Sequence, residues 1–199
     1  PLLGIEFSLA VSTHTSEELV IARAWRAASD SHLLVIIPRH VQRGASIARL
    51  LEENGLRVTL RTEHRIPPSD TDILIADTTG EVDDFCAHAK LIFMGGSMVK
   101  HGGHNVIEAA ARGKAIIVGP HTDNFKDEVE YLRSRGALEI AENEQELASK
   151  WAAVSGGDLA RHRLEAATIA AYRNLPDRVE EYIELVAEAI DLHHTKTAQ

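Results

Sequence analysis

The chain has 199 residues, 44% hydrophobic and 26% charged, a balance ordinary for a globular fold built around one well-buried core. Its formal net charge of −9 argues against nucleic-acid binding, which needs a basic footprint, but not against a small anion cradled by backbone N–H groups. The single cysteine, Cys86, excludes an internal disulfide, and no apolar run approaches the roughly 20 residues that span a bilayer.

Without an initiator methionine or a leader-like pattern, the chain opens almost directly into a predicted strand over 5–11, and so reads as a piece of a longer protein. A helix follows over 16–29, with apolar spacing at Leu19, Val20, Ala24 and Ala27. A buried strand over 33–37 stops at Pro38, and a helix over 45–54 closes at Gly55. Further strands are expected over 57–60, 73–76, 91–94 and 115–118, with a polar, proline-bearing stretch over 62–71 between the first two. Cys86, in Val82-Asp83-Asp84-Phe85-Cys86, reads as helix packing. From 142 onward the pattern is helical, broken at Gly156-Gly157 and Pro176, with a last stripe of Val179, Tyr182, Ile183, Leu185, Val186 and Ile190. Short, unalternating apolar runs between amphipathic helices predict an α/β fold. The expected form is a Rossmann-like, doubly wound parallel sheet of about six strands with C-terminal helices. In that architecture ligands sit beyond the carboxyl ends of the strands.

The polar clusters at those ends are therefore the candidate site. The strongest is Met94-Gly95-Gly96-Ser97 with Lys100-His101-Gly102-Gly103-His104-Asn105-Val106-Ile107-Glu108. Glycines permit positive φ and close approach, and a following helix N-terminus offers unpaired N–H groups to a phosphate. Glu108, one turn inside that helix, would accept from the hydroxyls of a ribose. The same residues also spell a helix cap, with Asn105 as N-cap and Glu108 as its capping-box partner. Pro38-Arg39-His40 puts a guanidinium at a strand end. Ser12-Thr13-His14-Thr15-Ser16-Glu17-Glu18 offers three capping hydroxyls, two carboxylates near a helix start, and one histidine free to meet an anion. Asp77-Thr78-Thr79-Gly80-Glu81 and Gly119-Pro120-His121-Thr122-Asp123-Asn124-Phe125 follow two later strands, with Asp123 or Asn124 as candidate caps. Eleven histidines raise the question of a metal, but His101 and His104 have no cysteine or third ligand near them in sequence, and zinc sites show tighter spacing. His193-His194 reads as a solvated tail.

Taken in order, Ser12-Thr13-His14 with Glu17-Glu18, Pro38-Arg39-His40, Thr79-Gly80-Glu81, Gly95-Gly96-Ser97, Gly102-Gly103-His104-Asn105 with Glu108, and Gly119-Pro120-His121-Thr122 with Asn124-Phe125 resemble the C-terminal half of the 3-deoxy-D-manno-octulosonic acid (Kdo) transferases. These enzymes glycosylate lipid A in Gram-negative bacteria. The resemblance implies a GT-B glycosyltransferase, in which two Rossmann-like domains face each other and the C-terminal one binds the donor, CMP-Kdo. It implies CMP contacts at Pro38, Arg39, Gly80, Glu81, Val82, Asn105, Val106, Ile107 and Glu108, with His14, Ser97 and His104 completing the pocket around the phosphate or the Kdo carboxylate. It implies inverting, metal-independent transfer without a cofactor. The general base and the membrane-proximal segment would lie in an N-terminal acceptor-binding half, so no catalytic residue is assigned in this chain. It further implies a lipid A precursor as acceptor and a full-length enzyme at the cytoplasmic face of the bacterial inner membrane. On this reading residues 1–141 form the donor-binding domain. Residues 142–199 form a helical extension, packed on that domain or reaching toward the N-terminal one. The chain departs from the family pattern at Val41, Val106 and Ala109, where proline is usual, at Ser16, where glycine is usual, and at Thr79. The alternatives are a GT-B transferase using another nucleotide sugar and a non-catalytic nucleotide-binding domain.

Overall fold

The computed structural model describes Leu2 and residues 4–175; Pro176, the apolar stripe beyond it and His193-His194 lie outside the described residues. The six expected apolar runs are strands: β1 Phe7–Thr13, β2 Leu33–Pro38, β3 Val58–Leu60, β4 Ile73–Ile75, β5 Leu91–Met94 and β6 Ala115–Val118. A seventh, β7 Glu139–Ile140, pairs with β6 at the margin. The order is β3-β4-β2-β1-β5-β6-β7 and every pairing is parallel.

The helices are α1 Glu18–Ala27, α2 Gly44–Glu53, α3 Val82–His88, α4 Ile107–Ala110, α5 Lys126–Arg133, α6 Glu144–Ser155 and α7 Asp158–Arg173. Because successive strand side chains point to opposite faces, the central strands feed two cores. Leu9, Val11, Ile92 and Val118 pack with Phe85 and Cys86 of α3, Val106 and Ala109 beside α4, and Leu132 of α5. Ala10, Ile36, Phe93 and Ile117 pack on the other face with Ile21 and Trp25 of α1, Ile47 of α2, and Leu147 and Trp151 of α6. Each valine, leucine, isoleucine or phenylalanine among them contributes about 1.5–3 kcal/mol by leaving water. Trp151 is fully buried, and its indole N–H is satisfied by Asp30 Oδ2 at 3.0 Å. Helix α7 serves both cores, through Leu164 on one face and Ala171 on the other. Helices α6 and α7 thus complete the sheet's own cover.

Element ends follow local chemistry. Helix α1 starts two residues later than the sequence suggests, because Ser16 takes φ 78 and cannot join a right-handed helix. Helix α2 is led in by a 3₁₀ turn, Val41–Arg43. It closes at Gly55 (φ 77), where Leu56 N–H donates to Leu51 O at 3.2 Å and Gly55 N–H to Glu52 O at 2.9 Å, the Schellman pair. Among the described residues no helix is long and apolar enough to cross a membrane. The chain leaves β1 toward β2 and comes back on β1's other side as β5. The reversal opens a crevice between the carboxyl ends of β1 and β5, the place where such sheets bind ligands.

Candidate functional site

The crevice begins with a bulge. Val11 pairs with Ile37 and Thr13 with Pro38, leaving Ser12 between them at φ 58. Its carbonyl is pressed against the chain after β5: a Cβ on Gly95 would lie 2.6 Å from Ser12 O, so only glycine fits there. The next turn presents His14, and Glu17 holds it. Glu17 is fully buried; its Oε1 accepts from His14 N–H at 2.7 Å and Gly96 N–H at 2.6 Å, and its Oε2 from Met98 N–H at 3.3 Å. Burial pushes its carboxyl up to about 7 against the opposing pull of these N–H groups. The expectation that Ser12, Thr13 or Thr15 caps α1 is therefore corrected: Glu17 takes the N-cap position with no side-chain cap bond and ties the β1 and β5 loops together. Thr13 Oγ1 donates instead to Glu18 Oε1 at 3.1 Å, and that carboxylate pairs with Arg43 at 2.8 Å.

Above this anchor sit the histidines. His14 Nε2 and His104 Nε2 are 2.8 Å apart, one ring donating and the other accepting. The two rings stack at 12°, with centroids 5.1 Å apart. His101 lies against His14 at 3.6 Å between centroids, and His40 meets it edge-on at 6.4 Å. Gly96 (φ 69) forms the floor, since a Cβ there would touch the His104 ring at 3.1 Å and the His14 ring at 3.3 Å. Burial, then His101, His104, His40 and Arg43, push His14 down to about 4. His104 is lowered by burial and by the nearby positive charge of Arg39. Arg39 and Arg43 thus meet His14 and His104 in one corner of an acidic chain, and these two imidazoles are held toward the neutral form. Sequence reasoning singled out His14 and His104 separately; it missed that His14 is the third member of the His101/His104 group, 90 residues from His104 along the chain.

Ser97 lies beneath the surface. Its hydroxyl donates to Met94 O at 2.5 Å and accepts from Gly119 N–H at 2.8 Å, while its carbonyl accepts from His121 N–H at 2.9 Å. It is fully buried and clamps the β5 and β6 loops, so its hydroxyl is not directed at a ligand. Neither Asp123 nor Asn124 caps α5 through its side chain; Asn124 Nδ2 donates to His101 O at 3.1 Å.

The remaining candidates divide. Pro38 is buried at the end of β2, and the exposed Arg39 anchors its N–H on Thr13 O at 2.9 Å. Asn105 Oδ1 accepts from Ile107 N–H at 3.0 Å, an Asx turn that starts α4, and Val106 is buried behind it. The N–H groups of His104, Asn105 and Val106 make no hydrogen bond among the described residues. The capping box does not form: the Glu108 carboxylate is exposed and unbonded among the described residues. Helix α4 is a single turn, so its dipole is weak and the open amides are the stronger feature of this loop. Arg112 links this turn to the start of α3, donating to Glu108 O and to Asp83, each at 2.7 Å. There Val82 is exposed, while Gly80 (φ 83) makes the turn. Glu81 pairs with Arg61 at 2.6 Å. That partner and Thr78 hold its carboxyl down at about 2. Cys86 is buried, its thiol pushed up to about 11, as packing demands.

No family model matches the chain. The 3-deoxy-D-manno-octulosonic acid transferase of Bordetella pertussis is 40% identical over 122 residues, covering 61% of this chain and 28% of that protein. The enzyme of the same name from Haemophilus influenzae is 34% identical over 136 residues, covering 66% and 32%. The chain thus spans about a third of the length of the curated relatives it matches. The solved C-terminal CMP-Kdo binding domain of WaaA from Acinetobacter baumannii superposes with a TM-score of 0.78 at 26% identity, covering 85% of this chain and 90% of that one.

Proposed function

We propose, from the premise that this chain belongs to the Kdo transferase family as its C-terminal, Rossmann-like GT-B domain, that it binds CMP-Kdo as the donor half of an inverting glycosyltransferase of lipopolysaccharide synthesis. One observation carries the reading. At the β1/β5 crevice, Arg39, His14 and His104 converge beside three unbonded amides (residues 104–106), and the free carboxylate of Glu108 stands one turn on. The amides and Arg39 suit the phosphate of CMP, and an exposed carboxylate suits paired ribose hydroxyls. Gly80, Glu81 and Val82 line the same strand edge, with Asn105, Val106 and Ile107 offering main-chain contacts. Pro38 and Ser97 serve as scaffold.

Transfer needs a base to deprotonate the acceptor hydroxyl and donors to stabilise the departing CMP. This chain supplies the second: one imidazole N–H of the His14/His104 pair stays free of the bond between the two rings, and Arg39 adds fixed charge. The base, the lipid A precursor as acceptor, and residence at the cytoplasmic face of the inner membrane belong to a partner N-terminal half. The division into a donor unit over 1–141 and a helical extension over 142–199 is part of the same proposal. The chain alone then binds CMP and transfers nothing. Calorimetry with CMP, UMP, UDP and GDP tests this: CMP is bound in preference to the others, whereas a preference for UDP assigns the site to another nucleotide sugar.

A further inference from the structure

We propose that His14, His101 and His104 form a binding site for a divalent transition-metal ion, zinc foremost, at the mouth of the β1/β5 crevice. Each residue offers one imidazole nitrogen, and the three nitrogens lie within 4.8 Å of one another. Imidazole is a ligand suited to zinc, copper and nickel, and ill suited to magnesium or calcium. A tetrahedral zinc with Zn–N bonds of about 2.0–2.1 Å sets its ligand nitrogens roughly 3.3 Å apart. The His14–His104 separation of 2.8 Å has to open slightly, and the His101 ring, which lies against His14 at 3.6 Å between centroids, has to turn its nitrogen toward the same point.

The backbone beneath each ring is already held. Glu17 accepts from His14 N–H at 2.7 Å, Gly103 N–H donates to Gly96 O at 2.9 Å just before His104, and Asn124 Nδ2 donates to His101 O at 3.1 Å. A metal set needs this support from the layer behind its ligands. Three imidazoles leave one tetrahedral position over, and the exposed side of His101 gives it access to water or an anion. No carboxylate belongs to the group among the described residues, so the bound ion keeps its full charge for that fourth ligand.

The inference stands on these three side chains and does not rest on the donor reading. The 199-residue chain, stripped with a chelator, is titrated with Zn²⁺ by calorimetry and with Co²⁺ by visible absorption. One ion binds per chain, with the intense visible bands of tetrahedral Co²⁺. His14→Ala and His104→Ala each weaken Zn²⁺ by ~100-fold or more, the upper end of what losing even an outer partner costs. Thermal melts confirm folding; should either variant fail to fold, His101→Ala, at an exposed position, carries the test. A double His193→Ala/His194→Ala variant keeps the affinity. Affinity lost with the tail pair instead, or unchanged by His14→Ala, His104→Ala and His101→Ala, overturns the proposal. CMP calorimetry in chelator is unaffected by that failure, and a chain that binds Zn²⁺ but not CMP fails only as a donor domain.

Discussion

Replacing Glu17 by glutamine should change how stability depends on pH more than it changes stability itself. The carboxyl is fully buried, and its value is raised from 4.5 to about 7. The folded chain therefore holds this proton more tightly than the unfolded chain. Stability falls as pH rises from about 4.5 to about 7, and the cost is complete above that. At about 1.4 kcal/mol per pH unit the ionised Glu17 costs ~3 kcal/mol at pH 8.5. Glutamine removes this cost. Its carbonyl can still accept from His14 and Gly96, but its amide would face Met98 N–H, whose 3.3 Å bond is lost for about 1 kcal/mol. Glu17→Gln is then more stable than the parent by about 2 kcal/mol at pH 8.5 and within about 1 kcal/mol of it at pH 4.5. Urea unfolding at both values, analysed with a shared slope, reads the difference directly, and contributions common to both chains, His14 included, cancel. Parallel curves across the range, or a variant weaker at pH 8.5 than at pH 4.5 relative to the parent, would refute the reasoning.

Glu108→Gln should weaken CMP by ~10-fold, the worth of a charged hydrogen bond, while the melting temperature stays put because the carboxylate holds nothing in the folded chain. Calorimetry and melting together decide it; a lower melt would mean that Glu108 is structural. Ser16→Gly should raise the melting temperature by about 2–4 °C, since φ 78 costs a residue with a Cβ about 1 kcal/mol and glycine almost nothing. His14 is held down to about 4, so the folded chain prefers it neutral. Its contribution is complete above about pH 6.5 and is lost as pH falls toward 4. In His14→Gln the acid limb of stability between those values becomes shallower, which unfolding at a series of pH values measures.

The parallel sheet was legible because its central strands are covered on both faces, and runs such as Leu91–Met94 have no polar face to show. Strand β7 was not legible: two half-buried residues, one of them Glu139, are recruited only by the neighbouring edge of β6. The single-turn length of α4 was not legible either: Gly113 turns at φ 62 just beyond it, with Ile169 packed where its Cβ would stand. In the site, local grammar marked loops that the strand order brings together, but not where some of their side chains turn. Glu17 looked like surface charge near a helix start, and only tertiary burial turns it inward. Ser97 looked ligand-facing because nothing in the sequence says that Gly119 N–H needs its oxygen. The third imidazole was invisible for the plainest reason, that proximity across 90 residues is made by strand order.

Strand order has another consequence, at the flanks of the sheet. The outermost strands are short, three residues in β3 and two in β7. On β7 the Glu139 side chain is drawn back to Lys150 at 2.7 Å, which sets an ion pair beside the open margin. A foreign strand arriving at either flank meets too few consecutive free amides to register, so the sheet is a poor template for extension by another chain. Among the described residues the sheet's hydrogen bonding is satisfied mainly from within, and concentrated solutions should show no growth in light scattering from strand addition.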